Sequence, residues 1–90
     1  MALRKISTTT TANGAGYYAV KQGRVVIVEI VNWDGTSISL PWPPAYRARG
    51  TLFQTGSTAP ARCNANTTGQ LDAYDMTGNG ALWGQVTYIT

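Results

Sequence analysis

Few side chains in this sequence could carry covalent or acid–base chemistry. The chain has no histidine, one cysteine (Cys63) and four carboxylates, Glu29, Asp34, Asp72 and Asp75. Without an imidazole there is no Ser-His-Asp or Cys-His arrangement, and the commonest metal ligand is missing. A lone cysteine gives no intrachain disulfide, redox motif or zinc cluster. Asp72 and Asp75, with Tyr74 beside them, come nearest to a carboxylate pair. Glycoside hydrolysis needs two carboxyls facing each other across a cleft, one of them with a raised pKa. Two aspartates on a short strand and its end form a solvated edge instead. No glycine-rich loop is built to cradle phosphate. The expectation is a protein that is not an enzyme and needs no cofactor and no metal.

Binding chemistry is better represented. Trp33 and Asp34 share a turn, Asn32-Trp33-Asp34-Gly35, where an indole is unusual because a buried tryptophan normally comes from a strand. One reading is a sugar platform, the ring face stacking on a pyranose while Asp34 accepts hydroxyl hydrogen bonds. The other is a turn aromatic folded back over the core or used between subunits. Trp42 lies in Pro41-Trp42-Pro43-Pro44, a stiff segment that loses little entropy on binding, with Tyr46 just beyond. Trp42 and Tyr46 either bind a ligand or pack this crossover onto the sheet. Trp83, before Gly84, is expected in the core or an interface. Arg47 is expected to hold a carboxylate or carbonyl, and Arg49 to be exposed.

The element that positions these residues is the run 24–31, Arg-Val-Val-Ile-Val-Glu-Ile-Val. It is short and β-branched, which costs rotamer freedom in a helix, so it reads as a strand. Val26, Val28 and Ile30 share one face; Val25, Ile27, Glu29 and Val31 share the other. Both faces are apolar, so the second wants a neighbour, and Val25, Ile27, Glu29 and Val31 are the expected subunit interface. There Glu29 must be wet or paired, with Lys21, Arg24 or Arg4 as partner, because an unpaired buried carboxylate costs several kcal/mol.

Around this strand the signals are those of short strands and turns. Residues 3–12 are a threonine-rich edge strand or leader, ended by a turn at Asn13-Gly14 that Ala15-Gly16 extends. Strands are expected at 17–21, 36–40, 51–55, 61–65, 70–74 and 81–89, with an ordered, polyproline-like crossover at 41–47. No helical period occurs. The fold class is therefore all-β, a small antiparallel β-sandwich or jelly-roll-like domain, with 1–16 as leader or edge strand and 17–90 as the body.

Ninety residues make one domain. Apolar burial on folding contributes on the order of 130 kcal/mol, and chain ordering costs about the same, so the monomer is marginal and association is the obvious further source of stability. The seven basic residues are scattered, which argues against nucleic acid as a partner. No apolar run reaches the ~20 residues of a membrane span, and the opening Met-Ala-Leu-Arg-Lys is not a signal peptide.

From Leu40 onward the order of signals is specific. Leu40-Pro41 leads to Pro44-Ala45-Tyr46-Arg47, then a strand, a glycine-containing turn and Gln70-Leu71. Gly80-Ala81-Leu82-Trp83-Gly84-Gln85-Val86-Thr87-Tyr88-Ile89 follows, and Gly23-Arg24-Val25-Val26 opens the body. Over 17–90 this resembles the C-terminal head module of bacteriophage tail-fibre and receptor-binding proteins. Ala45 stands where that pattern prefers glycine, and Ala48 where it has proline. The resemblance implies a homotrimeric head at the tip of a fibre or baseplate, made in the host cytoplasm and carried on the virion beside other tail or baseplate proteins. Its work would be to recognise a host cell-surface glycan or protein, most commonly a saccharide, with Trp33, Asp34, Trp42 and Tyr46 as candidate contacts. A purely structural trimerising module and a free-standing, monomeric carbohydrate-binding module are the alternatives.

Overall fold

The computed structural model describes residues 9–78 and 80–90. Its strands in chain order are β1 (Thr9–Gly14), β2 (Tyr17–Gln22), β3 (Val25–Trp33), β4 (Ile38–Ser39), β5 (Ala48–Gln54), β6 (Ala61–Ala65), β7 (Gln70–Tyr74) and β8 (Leu82–Ile89). No helix occurs among the described residues. All eight strands belong to one antiparallel sheet, ordered β1-β2-β3-β8-β5-β6-β7-β4, in which β8 joins β3 to β5. Inner-face residues from both halves of the sheet, among them Val26, Val28, Ile30, Leu52, Cys63, Leu71, Leu82 and Val86, form one buried cluster. The sheet therefore curls so that its inner face covers itself.

β3 alternates as its sequence dictates. Val26, Val28 and Ile30 are buried, and Val25, Ile27 and Glu29 are exposed. The alternation breaks at a bulge between Ile30 and Trp33, where Asn32 adopts φ 51°. Asparagine tolerates this left-handed conformation better than most residues, and the extra residue flips the parity of the strand. Trp33 thus turns inward, although it is an odd-numbered neighbour of the outward Val31.

Several sequence expectations shift at their edges. β1 is one edge strand of the sheet, paired along its length with β2, and β4 is the other. Asn13 and Gly14 are inside that ladder, opposite Tyr18 and Tyr17, and the turn falls at Ala15-Gly16, with Gly16 at φ 88°. The part of the expected 3–12 segment before Thr9 lies outside the described residues. The strand expected at 36–40 shortens to Ile38–Ser39. The proline-rich crossover forms no strand. It is tied down by Leu40 N–H to Gly69 O at 2.7 Å, by Ala45 N–H to Ile89 O at 2.8 Å, and by the Tyr88 hydroxyl donating to Trp42 O.

One buried polar residue was not singled out from the sequence. Gln54, 2% exposed, sits on the inner face of β5. Its Nε2 donates to Gly78 O (2.8 Å) and Gly80 O (3.2 Å), and its Oε1 accepts from Thr77 N (3.1 Å) and Gly78 N (3.2 Å). This amide clamps the loop between β7 and β8 onto the sheet. Thr77 in turn shares a short hydroxyl–hydroxyl hydrogen bond with Ser57, in the β5–β6 loop.

Candidate functional site: the outer face of the sheet

The outer face is where this chain leaves large apolar side chains in water. Across β2, β3 and β8 the register sets outer residues in rows: Gln22, Val25 and Ile89; then Val20, Ile27 and Thr87; then Tyr18, Glu29 and Gln85. Val25, Ile27, Val31 and Ile89 keep 43%, 42%, 38% and 51% of their surface exposed. The four residues expected to meet a neighbouring subunit, Val25, Ile27, Glu29 and Val31, are all outward and accessible. Glu29 makes no ion pair among the described residues. Its expected partners are engaged elsewhere within the protomer, since Lys21 Nζ donates to Gly23 O at 2.9 Å and Arg24 Nε to Thr90 O at 3.0 Å. Arg4 lies outside the described residues.

Beyond the Glu29–Gln85 row the outer face becomes aromatic. Trp83 on β8 is paired directly with Phe53 on β5, and the two are 41% and 62% exposed. They floor an open groove of about 620 Å³, also lined by Thr51 and by Ser57, Thr58, Ala59 and Pro60 of the β5–β6 loop. Every residue lining it is uncharged. Trp83 was expected in a core or an interface, and the structure puts its ring outside the core. Strand parity could have found both rings. Leu52 and Leu82 are needed inside, so their neighbours Phe53 and Trp83 must point out.

The four candidate ligand contacts do not form one site. Trp33 is 1% exposed, its Nε1–H donates to Thr36 O at 2.8 Å, and Gly16 lies so close over the ring that an added Cβ would stand 2.6 Å from Cδ1. No face of this indole is open to a pyranose, and both the sugar-platform reading and the turn placement of Trp33 are corrected: it is the last residue of β3, opposite Leu82, with its ring in the core. Asp34 is exposed but is used locally. Its Oδ1 accepts the Thr36 N–H at 2.9 Å, which closes the turn and holds the carboxyl below its ordinary range. Trp42 is half-buried and packs against the core cluster, as the crossover reading anticipated. Tyr46, 81% exposed, is free to bind, and with Arg47 and Ile89 lines a shallow cavity at the other end of β8. Leu82, opposite Trp33, and Ile89, beside Tyr46, are the two ends of β8, so the two candidates stand roughly 24 Å apart at ~3.4 Å per residue.

The aspartates of β7 and its end are engaged in local contacts. Asp72 accepts from Ser37, Gln70 and Asn66, and Asp75 lies 4.0 Å from Arg62 across an exposed pair. Arg47 forms no hydrogen bond or ion pair among the described residues. No group of metal-ligating side chains is found among the described residues. Cys63, packed under Gly50, is fully buried, and burial pushes its thiol up to about 11. Such a thiol is a poor nucleophile. A scan of the chain against protein-family models gives no match, and neither does comparison with the curated proteins.

Proposed function

We propose that this chain is the tip module of a bacteriophage tail fibre or baseplate, a homotrimer that recognises a saccharide on the host cell surface and performs no catalysis. The observation that carries the reading is the aliphatic end of the outer face. Val25, Ile27 and Ile89, with Val20 beside them, form a flat patch on three adjacent strands. Such a patch stabilises an assembly at about 25 cal/mol for each Å² it removes from water, which is what a marginal domain of this size needs. An aliphatic sheet surface edged by the polar Gln22, Thr87, Glu29 and Gln85 suits a copy of the same chain better than a polar ligand. Closed cyclic symmetry follows from the need to end the contact without growing fibres. The sequence resemblance supplies the count of three and the setting. It also makes the curled sheet a small β-sandwich, whose β1-β2-β3-β8 and β5-β6-β7-β4 halves share one core.

Light scattering at micromolar concentration tests the reading. The expected mass is about three times the 9.6 kDa of the chain. Ile27→Asp sets like charges against one another in the assembly and disturbs no packing inside the protomer, so it should give a folded monomer. A monomeric wild-type protein would overturn the proposal.

A further inference from the structure

The structure assigns a neutral-saccharide site to the groove floored by Phe53 and Trp83 and walled by the Ser57–Pro60 loop. This rests on the receptor-recognition reading and names where, and with which chemistry, that recognition occurs. Three observations carry it together.

The first is the pairing of two exposed rings. Phe53 and Trp83 are direct cross-strand neighbours, so their side chains stand next to each other on one face. They are 62% and 41% exposed in a chain that buries Trp33 almost completely. An aromatic face carries negative charge, and the C–H groups on the flat side of a pyranose carry the complementary positive polarisation. Two rings held by one ladder present a platform without ordering a loop, which keeps the entropic cost of binding low.

The second is the rim. Thr51 and Thr58 line the groove and neither hydroxyl is used in a hydrogen bond among the described residues. Each can donate and accept, as a sugar hydroxyl requires. Ser57 has a different part: its Oγ bonds Ala59 O and Ala59 N, both at 3.2 Å, and the hydroxyl of Thr77. The wall of the groove is therefore held to the loop that Gln54 clamps, and the site is largely formed before anything binds.

The third is what is missing from the lining. It holds no charged residue, whereas the chain as a whole carries a net charge of +3. A phosphorylated or uronate-rich glycan would meet no counter-charge there, so a neutral sugar is the better fit. The volume of about 620 Å³ lies within the range of small-molecule sites, roughly 300–1,000 Å³. A second copy of the chain is the less suitable occupant. The groove is separated from the aliphatic patch by the polar row of Tyr18, Glu29 and Gln85.

The test is an array of bacterial surface glycans, neutral and acidic, probed with the purified full chain, followed by titration of the best neutral oligosaccharide. Wild-type protein should bind neutral glycans. Phe53→Ala and Trp83→Ala should each weaken binding by about tenfold or more, with oligomer mass unchanged and only a modest fall in melting temperature from the lost cross-strand ring pair. Phe53→Tyr, which keeps a ring, should retain binding within about threefold. Tyr46→Ala, at the other end of β8, should leave it unchanged. Binding that survives both alanine variants would overturn this site while leaving saccharide recognition standing. Binding confined to acidic glycans would overturn the neutral class. A change of oligomer mass in either variant would make the groove a contact between copies and overturn the site. No glycan bound by the wild-type protein would overturn the site and saccharide recognition together.

Discussion

Replacing Gln54 by leucine isolates the clamp that joins the β7–β8 loop to the sheet. The side chain is nearly isosteric, so the change deletes four hydrogen bonds without opening a cavity. A hydrogen bond contributes about 0.5–1.5 kcal/mol net, which sets the loss at roughly 2–6 kcal/mol. The groups abandoned are Thr77 N–H, Gly78 N–H, Gly78 C=O and Gly80 C=O, all on a loop that can swing open to water. The lower half of that range therefore applies, and a buried leucine side chain returns about 1 kcal/mol. A net loss of about 2 kcal/mol lowers the melting temperature by roughly 8–16 °C for a domain of this size. Thermal and urea unfolding followed by circular dichroism, at one fixed protein concentration, measure it. Amide exchange supplies a local readout, with the Thr77 and Gly78 amides losing protection while those of β3 keep theirs. A Gln54→Leu protein within about 0.5 kcal/mol of wild type, with Thr77 and Gly78 still protected, would refute the reasoning, because the loop would then be held by something other than this amide.

Other expectations follow from the same geometry. Cys63 should resist a thiol reagent at pH 8 in the folded protein and react on unfolding, since burial raises the thiol from 9.0 to about 11. The folded state holds that proton more tightly than the unfolded chain, so stability is complete below about pH 9 and declines toward pH 11. Tyr88, raised from 10.0 to about 12 by burial, extends the decline further; unfolding monitored by urea at pH 7, 9 and 10.5 checks the sign. Gly50→Ala should cost about 1–3 kcal/mol. An added Cβ there would stand 2.9 Å from both Cys63 Sγ and Gln85 O, and Cys63→Ala in the same chain should recover part of the loss. Under the proposed assembly through this face, Glu29→Gln should raise the melting temperature by a few degrees, because neither Lys21 nor Arg24 of the protomer neutralises this carboxylate beside the aliphatic patch. A lower melting temperature would show a basic residue of a neighbouring copy paired with it.

What the sequence made legible was periodic. The β-branched run of β3, the alternation that splits Val26, Val28 and Ile30 from Val25 and Ile27, and the proline-rich crossover all carry local signals strong enough to read directly. Misplaced features are those in which one residue changes the phase or a distant partner decides the outcome. Asn13-Gly14 has the composition of a hairpin turn, yet Gly16 takes the positive φ because Asn13 and Gly14 pair with β2. Trp33 has two surroundings open to it on sequence alone. The bulge at Asn32 decides between them, and a bulge leaves little trace in composition. The aromatic groove needs Phe53 and Trp83 to meet across strands separated by most of the second half of the chain. Each ring's outward direction could be inferred from parity; their meeting could not, because it depends on β8 docking against β5.

That docking also fixes the order in which the protein can be made. β8 leaves the ribosome after the other seven described strands, yet it is the joint between the two halves of the sheet. Until it emerges, β1-β2-β3 is a meander with Val26, Val28 and Ile30 uncovered and the far edge of β3 unpaired, and β5-β6-β7 has the same defect along β5. Neither fragment can shut its half of the core, and the missing pairings are long-range ones that form slowly. During synthesis the nascent chain therefore shows two sticky strand edges to every neighbouring nascent chain on the same message. These edges invite mispairing between copies. Under the proposed trimer, whose copies meet through the outside of β3, the chain is thus exposed, at an earlier moment, to meeting through its side. Overproduction should yield its aggregates co-translationally, and slowing translation upstream of Leu82 should worsen them.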